Sequence, residues 1–142
     1  MTKFTASKSG IRLLVADDNP VIRELVEAMC DFFEYPGVEF VTNGLEAVEA
    51  CKVQAFDMIL MDCQMPEMDG YEATRHIRSL ERAAAGIRTR QPAIIIAMTG
   101  DSDNDNRGSC HDAGMDDFLS KPFSISALKA VIDTCPMLLK DG

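Results

Sequence analysis

The sequence lacks any apolar run approaching the roughly 20 residues needed to cross a bilayer as a helix. Its opening stretch, MTKFTASKSG, is polar and contains no apolar core of a secretion signal. These two absences lead us to expect a domain that works in the cytoplasm without membrane contact of its own. Basic residues are scarce: 14 Lys and Arg against 23 Asp and Glu leave a net charge of −9. Such a chain has no general attraction for nucleic acid or an anionic membrane, so any output on DNA must belong to another domain or partner. No Cys-x-x-Cys pair occurs, and the five cysteines (Cys30, Cys51, Cys63, Cys110, Cys135) are an odd number set mostly in apolar stretches. This excludes a disulfide or zinc framework and predicts small buried hydrophobes in a reducing compartment. Internal repeats, low-complexity tracts and linkers are also missing. We therefore read residues 11–139 as one domain, with 1–10 a polar lead-in and 140–142 a C-terminal end, active as a monomer or weak dimer.

What is present is globular: 142 residues, 46% hydrophobic and 26% charged, enough to bury a core. Strand-like and helix-like segments alternate. IRLLVAD (residues 11–17) is a short apolar run followed by the turn DNP. Pro20 suits the first position of a helix whose apolar residues recur at Val21, Leu25, Ala28 or Met29, and Phe32. VEFVTN reads as a second strand and GLEAVEACKVQ as a compact amphipathic helix. FDMILMD is almost wholly apolar, as expected when both faces of a parallel sheet are covered. A loop, CQMPEMDG, leads to a helix over about Tyr71–Ala85. The basic turn GIRTRQP precedes AIIIAMT, the most β-branched run and the expected central strand. DDFLS is a fifth strand, and KPF turns into SISALKAVIDTC with Ser124 as N-cap. The pattern is (βα)5, an α/β fold of the flavodoxin-like, doubly wound type: five parallel strands in the order 2-1-3-4-5, helices on both faces, crossovers right-handed.

In an open parallel sheet, ligands bind beyond the carboxyl ends of the strands. Four of the five expected strands end there on a polar residue: Asp17 and Asp18 after the first, Asp62 after the third, Thr99 after the fourth, Lys121 after the fifth. Carboxylates brought together repel one another, and a cation is needed to neutralise them. Oxygen-only ligands select a hard ion, Mg²⁺ best and Mn²⁺ as substitute. A carboxylate beside such an ion can attack a phosphoryl group. Lys121 and Thr99 then supply the charge and the hydroxyl that the transferring group needs. No histidine is required, and His76 and His111 read as solvated surface residues.

Four motifs, in order along the chain, carry a family resemblance: VADDN, MDCQMPEMDG, AMTG and AGMDDFLSKPF. Over about Ile11–Cys135 the chain resembles the receiver domain of response regulators, and LMDCQMPEMDGYEATRHIR is especially similar to receivers fused to hybrid sensor histidine kinases. The resemblance implies a two-component phosphorelay function: a phosphoryl group passes from a phosphohistidine, on a histidine kinase or a histidine phosphotransfer protein, to Asp62. It further implies that Asp18, Asp62 and the Gln64 carbonyl bind Mg²⁺ directly, with Asp17 acting through water. Thr99 and Phe118 would be the switch pair, Lys121 would pair with the phosphoryl group, and Gln64 and Asp101 would tune its loss. Pro66 and Gly70 would shape the acceptor loop, and Lys121–Pro122 would be a cis peptide. By the same resemblance the domain is a signalling switch that modifies itself, not a metabolic enzyme. The family usually signals through the surface made by its fourth helix, fifth strand and fifth helix.

Other readings of the same residues were weighed. A phosphorylation-independent interaction module on this fold would not need the intact acidic set. A phosphatase with an aspartyl nucleophile would want a second acid two residues after Asp62, where Gln64 stands. A flavin-binding relative would want a hydroxyl- and Gly-rich first loop in place of DDNPV. The stretch GDSDNDNRGSCHDAG must hold the fourth helix, but its residues are poor helix formers. We expect a short or mobile helix beginning near Asp105 or later. Its spacing of Asp101, Asp103, Asp105 and Asp112 echoes a calcium loop, but Asn106 occupies the required glycine position.

Overall fold

The computed structural model describes residues 11–35, 37–84, 92–100 and 107–134. Expectations that rest on Asp101, Asp103, Asp105, Cys135 and the two chain ends lie outside the described residues. Ten elements alternate: β1 (Leu13–Ala16), α1 (Pro20–Phe33), β2 (Val38–Val41), α2 (Gly44–Val53), β3 (Met58–Asp62), α3 (Gly70–Ala83), β4 (Ile94–Thr99), α4 (Arg107–Ala113), β5 (Asp117–Ser120) and α5 (Ile125–Ile132). The strands form one parallel sheet in the order β2-β1-β3-β4-β5. The expected order is therefore observed. AIIIAMT is not the central strand, however; that place belongs to β3, whose five residues are all buried. β-branching marks a buried strand, but position in a sheet is set by which neighbours cover it.

Alternation along the strands builds two cores. On one face Leu13, Val15, Met58, Leu60, Ile96 and Met98 meet α1 and α5 through Val26, Phe33, Leu128 and Ile132. On the other, Leu14, Ala16, Ile59, Met61, Ile95 and Ala97 meet α2, α3 and α4 through Ala47, Ala73, Ile77 and Cys110. Adjacent strand residues point to opposite faces, so a helix layer on each side explains the unbroken apolar runs. Of the cysteines, Cys30, Cys63 and Cys110 are buried, Cys51 is half-buried, and all four are free.

The helices start where side chains satisfy their first N–H groups. Asn19 accepts from Val21 N ahead of Pro20, Asn43 from Glu46 N, Asp69 from Glu72 N, and Ser124 from Ala127 N. In α1 the helix is where its spacing put it, but its phase is not. Val26, Met29, Cys30 and Phe33 face the core, while Val21 is 67% and Phe32 74% exposed. Val21, Leu25 and Phe32 repeat with helical spacing, but as a second apolar stripe on the solvent side. The fourth helix is short, seven residues, and only Cys110 and Ala113 are buried among its residues from Gly108 onward.

One side chain braces the far end of α3. Arg78 donates from Nε to the Gly114 carbonyl (2.9 Å), from one terminal nitrogen to the Ala93 carbonyl (2.8 Å) and Glu81 (2.7 Å), and from the other to Asp116 (2.8 Å). Asp116 in turn accepts from Ile95 N at 2.8 Å. This ties α3 to the entry of β4 and to the turn between α4 and β5. Arg78→Ala removes the guanidinium donor from two carbonyls and two carboxylates. It is expected to cost about 2–3 kcal/mol in urea unfolding, and Arg78→Lys, which lacks the fork, to recover only part of that loss.

Candidate functional site

The strand ends put Asp17 and Asp62 side by side. β1 and β3 are neighbours, with Ala16 opposite Met61, so the next residue of each carries its carboxylate to the same edge. Asp17, Asp18 and Asp62 present oxygens all within 4.8 Å of one another. Asp17 is wholly buried and Asp62 almost so, whereas Asp18 is exposed.

Asp17 is held from every side. Its N–H donates to the Val41 carbonyl (3.1 Å), its Oδ1 accepts from Asn19 N (2.9 Å), and its carbonyl accepts from the Arg23 guanidinium (2.8 Å). Oδ2 is buried and accepts no well-directed hydrogen bond, although Lys121 Nζ stands 2.8 Å away as an ion-pair partner. The same ammonium lies 3.3 Å from Asp62 Oδ1, which also accepts from Gln64 N at 3.3 Å. One lysine thus bridges two buried carboxylates. A buried carboxylate oxygen with a free lone pair, beside two further carboxylates, is a fitting donor set for a hard divalent cation.

The electrostatics follow from this crowding. Burial, and then the neighbouring Asp17 charge, push Asp62 up to about 6, against the downward pull of Lys121 and the Gln64 N–H. Burial works to lower Lys121, but its contacts with Asp17 and Asp62 outweigh it and the ammonium is held above its ordinary value. Cys63, directly after the acidic residue, is pushed up to about 12 by burial and stays a thiol.

The remaining expected residues are arranged around this centre. β4 pairs Met98 with Asp62, so Thr99 lies one residue beyond, at the mouth of the sheet and nearly buried. Thr99 pairs with Ser120, and its carbonyl accepts from Lys121 N, which joins the fourth and fifth strand ends. Phe118 is half-buried on the α2, α3 and α4 side, and Gln64 is exposed. The peptide Lys121–Pro122 is cis, as expected.

Two features of the loop after β3 carry no signal in its residue types. Glu67 adopts φ 71°, a left-handed conformation usually left to glycine, and Glu34 at the end of α1 has φ 63°. Gly44, read only as the start of a helix, donates to the Met68 carbonyl at 2.9 Å. A Cβ there would stand 2.3 Å from that oxygen, and one at Gly70 would stand 2.2 Å from the Asp62 carbonyl. Both glycines are needed for close backbone approach, and together they seat the loop beside Asp62. Arg23 was also missed, because a lone arginine in a helix gives no sign of the carbonyl it reaches.

Residues 13–133 match the family described as response regulator receiver domain. The chain belongs to that family. Relatives include hybrid signal transduction histidine kinase B of Dictyostelium discoideum, 39% identical over 119 residues, and the sensor protein GacS of Pseudomonas syringae pv. syringae, 39% identical over 128. These matches cover 81% and 89% of this chain but only 6% and 13% of those proteins, so the chain spans a small part of the relatives it matches. Among solved structures, the receiver domain of sensor histidine kinase PA1611 from Pseudomonas aeruginosa PAO1 aligns with a TM-score of 0.75 at 37% identity, over 88% of this chain and 96% of that one. That structure has a magnesium ion coordinated in its active-site cleft. A co-crystal structure of the Saccharomyces cerevisiae histidine phosphotransfer protein Ypd1 with the receiver domain of Ssk1 aligns with a TM-score of 0.80 at 27% identity, covering 88% of each chain. The resemblance to receivers of hybrid kinases is borne out.

The raised Asp62 has a consequence for stability. Unfolded, its carboxyl takes a proton near the ordinary 3.8; folded, near 6. Between those values the folded state binds more protons, so its stability falls as pH rises through the window and levels off above it. Asp62→Asn removes the crowded charge. Without divalent cations at pH 7 the variant is expected to be more stable than the parent by on the order of 1–2 kcal/mol. The gap should close as pH falls from 6 to 4, read by chemical denaturation at each pH.

Proposed function

We propose that this domain accepts a phosphoryl group on Asp62 from a phosphohistidine, with Asp18, Asp62 and the Gln64 carbonyl holding Mg²⁺ and Asp17 acting on it through water. The observation that carries this reading is the buried Asp17–Lys121–Asp62 bridge, next to an exposed third carboxylate. A fold that needs no chemistry gains nothing from two buried like charges, which weighs against an interaction module indifferent to phosphorylation. Bound Mg²⁺, or Mn²⁺ in its place, would offset the carboxylates and the charge on the phosphoryl oxygens.

The chain's own groups do the rest. An Asp62 carboxylate oxygen attacks phosphorus, the P–N bond to imidazole breaks, and an acyl phosphate forms. With its value near 6, Asp62 is mostly ionised at neutral pH and more basic than an ordinary carboxylate. Lys121 leaves its bridge to pair with the phosphoryl oxygens, and the Thr99 hydroxyl donates to another of them. Phe118 follows Thr99 inward and carries the change toward α4, β5 and α5. Hydrolysis of the acyl phosphate is the domain's own reaction, tuned by Gln64 and Asp101. The setting is the cytoplasmic side of a two-component pathway.

The donor is a histidine kinase or a histidine phosphotransfer protein, and the surroundings of the pocket support such a partner. Val21 and Leu25 on the first turns of α1, and Ile125 opening α5, are exposed apolar side chains. Both helices begin within a few residues of the pocket, after Asp18 and after Lys121. An apolar rim around an acidic centre fits a partner that brings its own histidine to the carboxylate.

Intact mass after incubation with acetyl phosphate and Mg²⁺ tests the chemistry: one phosphoryl adduct is expected, absent with EDTA and in Asp62→Asn. No adduct in the parent protein, together with indifference to beryllofluoride, would move the reading to the phosphorylation-independent module. Leu25→Asp should slow transfer from a phosphohistidine donor at least tenfold while leaving labelling by acetyl phosphate unchanged. Equal slowing with both donors would count against α1 as the docking face.

A further inference from the structure

Asp17 is the one acidic residue of the pocket that is wholly enclosed, and its backbone depends on a side chain from another element. Arg23, one turn into α1, donates to the Asp17 carbonyl at 2.8 Å. The other contacts of Asp17 are the Val41 carbonyl, the Asn19 N–H and the Lys121 ammonium, which pairs with Oδ2 at 2.8 Å. Asn19 also caps α1 by accepting from Val21 N, so the stretch from Asp17 to Val21 is one closed set of hydrogen bonds. Among the described residues Arg23 is the charged side chain that bonds to the backbone of this turn, whereas Lys121 meets the Asp17 carboxylate. Arg23 is half-buried.

We propose that Arg23 is a positioning residue for the cation pocket: by holding the Asp17 carbonyl it fixes the turn that aims Asp17 Oδ2 and Asp18 at Asp62. The inference rests on the reading that the pocket takes Mg²⁺. Two effects of removing Arg23 have opposite signs. Deleting a positive charge next to Asp17 would, by Coulomb attraction alone, tighten a cation. Releasing the carbonyl would let the turn reorient and spread the oxygens, which weakens the cation; lost outer contacts of this kind cost roughly 10- to 100-fold in affinity. If Arg23 positions the turn, the second effect exceeds the first.

The test is isothermal titration of the full chain with MgCl₂, without a phosphoryl donor. Arg23→Ala is expected to bind Mg²⁺ about tenfold more weakly, while retaining its far-ultraviolet circular dichroism at the temperature of the titration. Arg23→Lys, which keeps a donor and the charge, should return to within about threefold of the parent. Arg75→Ala removes the same charge from an exposed position on α3 and should leave affinity unchanged. Should Arg23→Ala fail to fold, Arg23→Met, which keeps the length of the stem but carries no donor, gives the same sign test and is expected to weaken binding. Unchanged or tighter binding in a folded Arg23→Ala or Arg23→Met overturns the inference alone. A parent protein that takes up no Mg²⁺ overturns the reading of the pocket, and the inference falls with it.

Discussion

Two buried carboxylates share one ammonium, and the architecture around them exists to make that arrangement tolerable. Asp17 and Asp62 would repel strongly in a low-dielectric strand end, and among the described residues Lys121 is the cation that touches both. It offsets the repulsion only in part, as the upward displacement of Asp62 records. The residual charge is what, on the proposed reading, suits the pocket to a divalent ion. Neutralising it with a second lysine would make a more comfortable protein and a worse receptor. The site is strained electrostatically so that a ligand can relieve it.

The sheet is what permits such strain. β1 and β3 are covered on both faces and joined along their whole length, so their ends cannot splay to relax the carboxylates. The pairing of Thr99 with Ser120, and the Lys121 N–H donated to the Thr99 carbonyl, fix the approach of the lysine. At the opposite end of the sheet, Arg78 performs a purely mechanical task, gathering α3, β4 and the turn before β5. Charge thus serves different purposes at the two ends: an imbalance near Asp62, and a satisfied network around Arg78.

Much of this was legible in the residue order, for physical reasons. A strand buried on both faces must be apolar, so a carboxylate or hydroxyl closing such a run stands out, as at Asp17, Asp62 and Thr99. The starts of α1 and α5 were legible because Pro20 suits a first helical position and Ser124 is a residue type that caps. The phase of α1 was not, since Val21, Leu25 and Phe32 form a stripe as regular as the buried one, and periodicity does not say which stripe faces the sheet. The strand order was legible, and with it a central third strand; the β-branching of AIIIAMT pointed elsewhere because it speaks to burial and not to order. Arg23 and Glu67 were hidden for a different reason. A contact from a helix side chain to a distant carbonyl, or a left-handed glutamate, depends on tertiary placement that no residue type announces.

The acceptor loop bears on how such domains can be recombined. Met68 gives its carbonyl to Gly44, at the head of a helix that precedes the loop by a whole strand and turn, and the same spot leaves no room for a Cβ. The segment from Cys63 to Gly70 is therefore not a self-contained cassette. Transplanted into a relative with a bulkier residue where Gly44 stands, it would arrive with the right letters and the wrong seat, so exchange between family members has to move the two segments together.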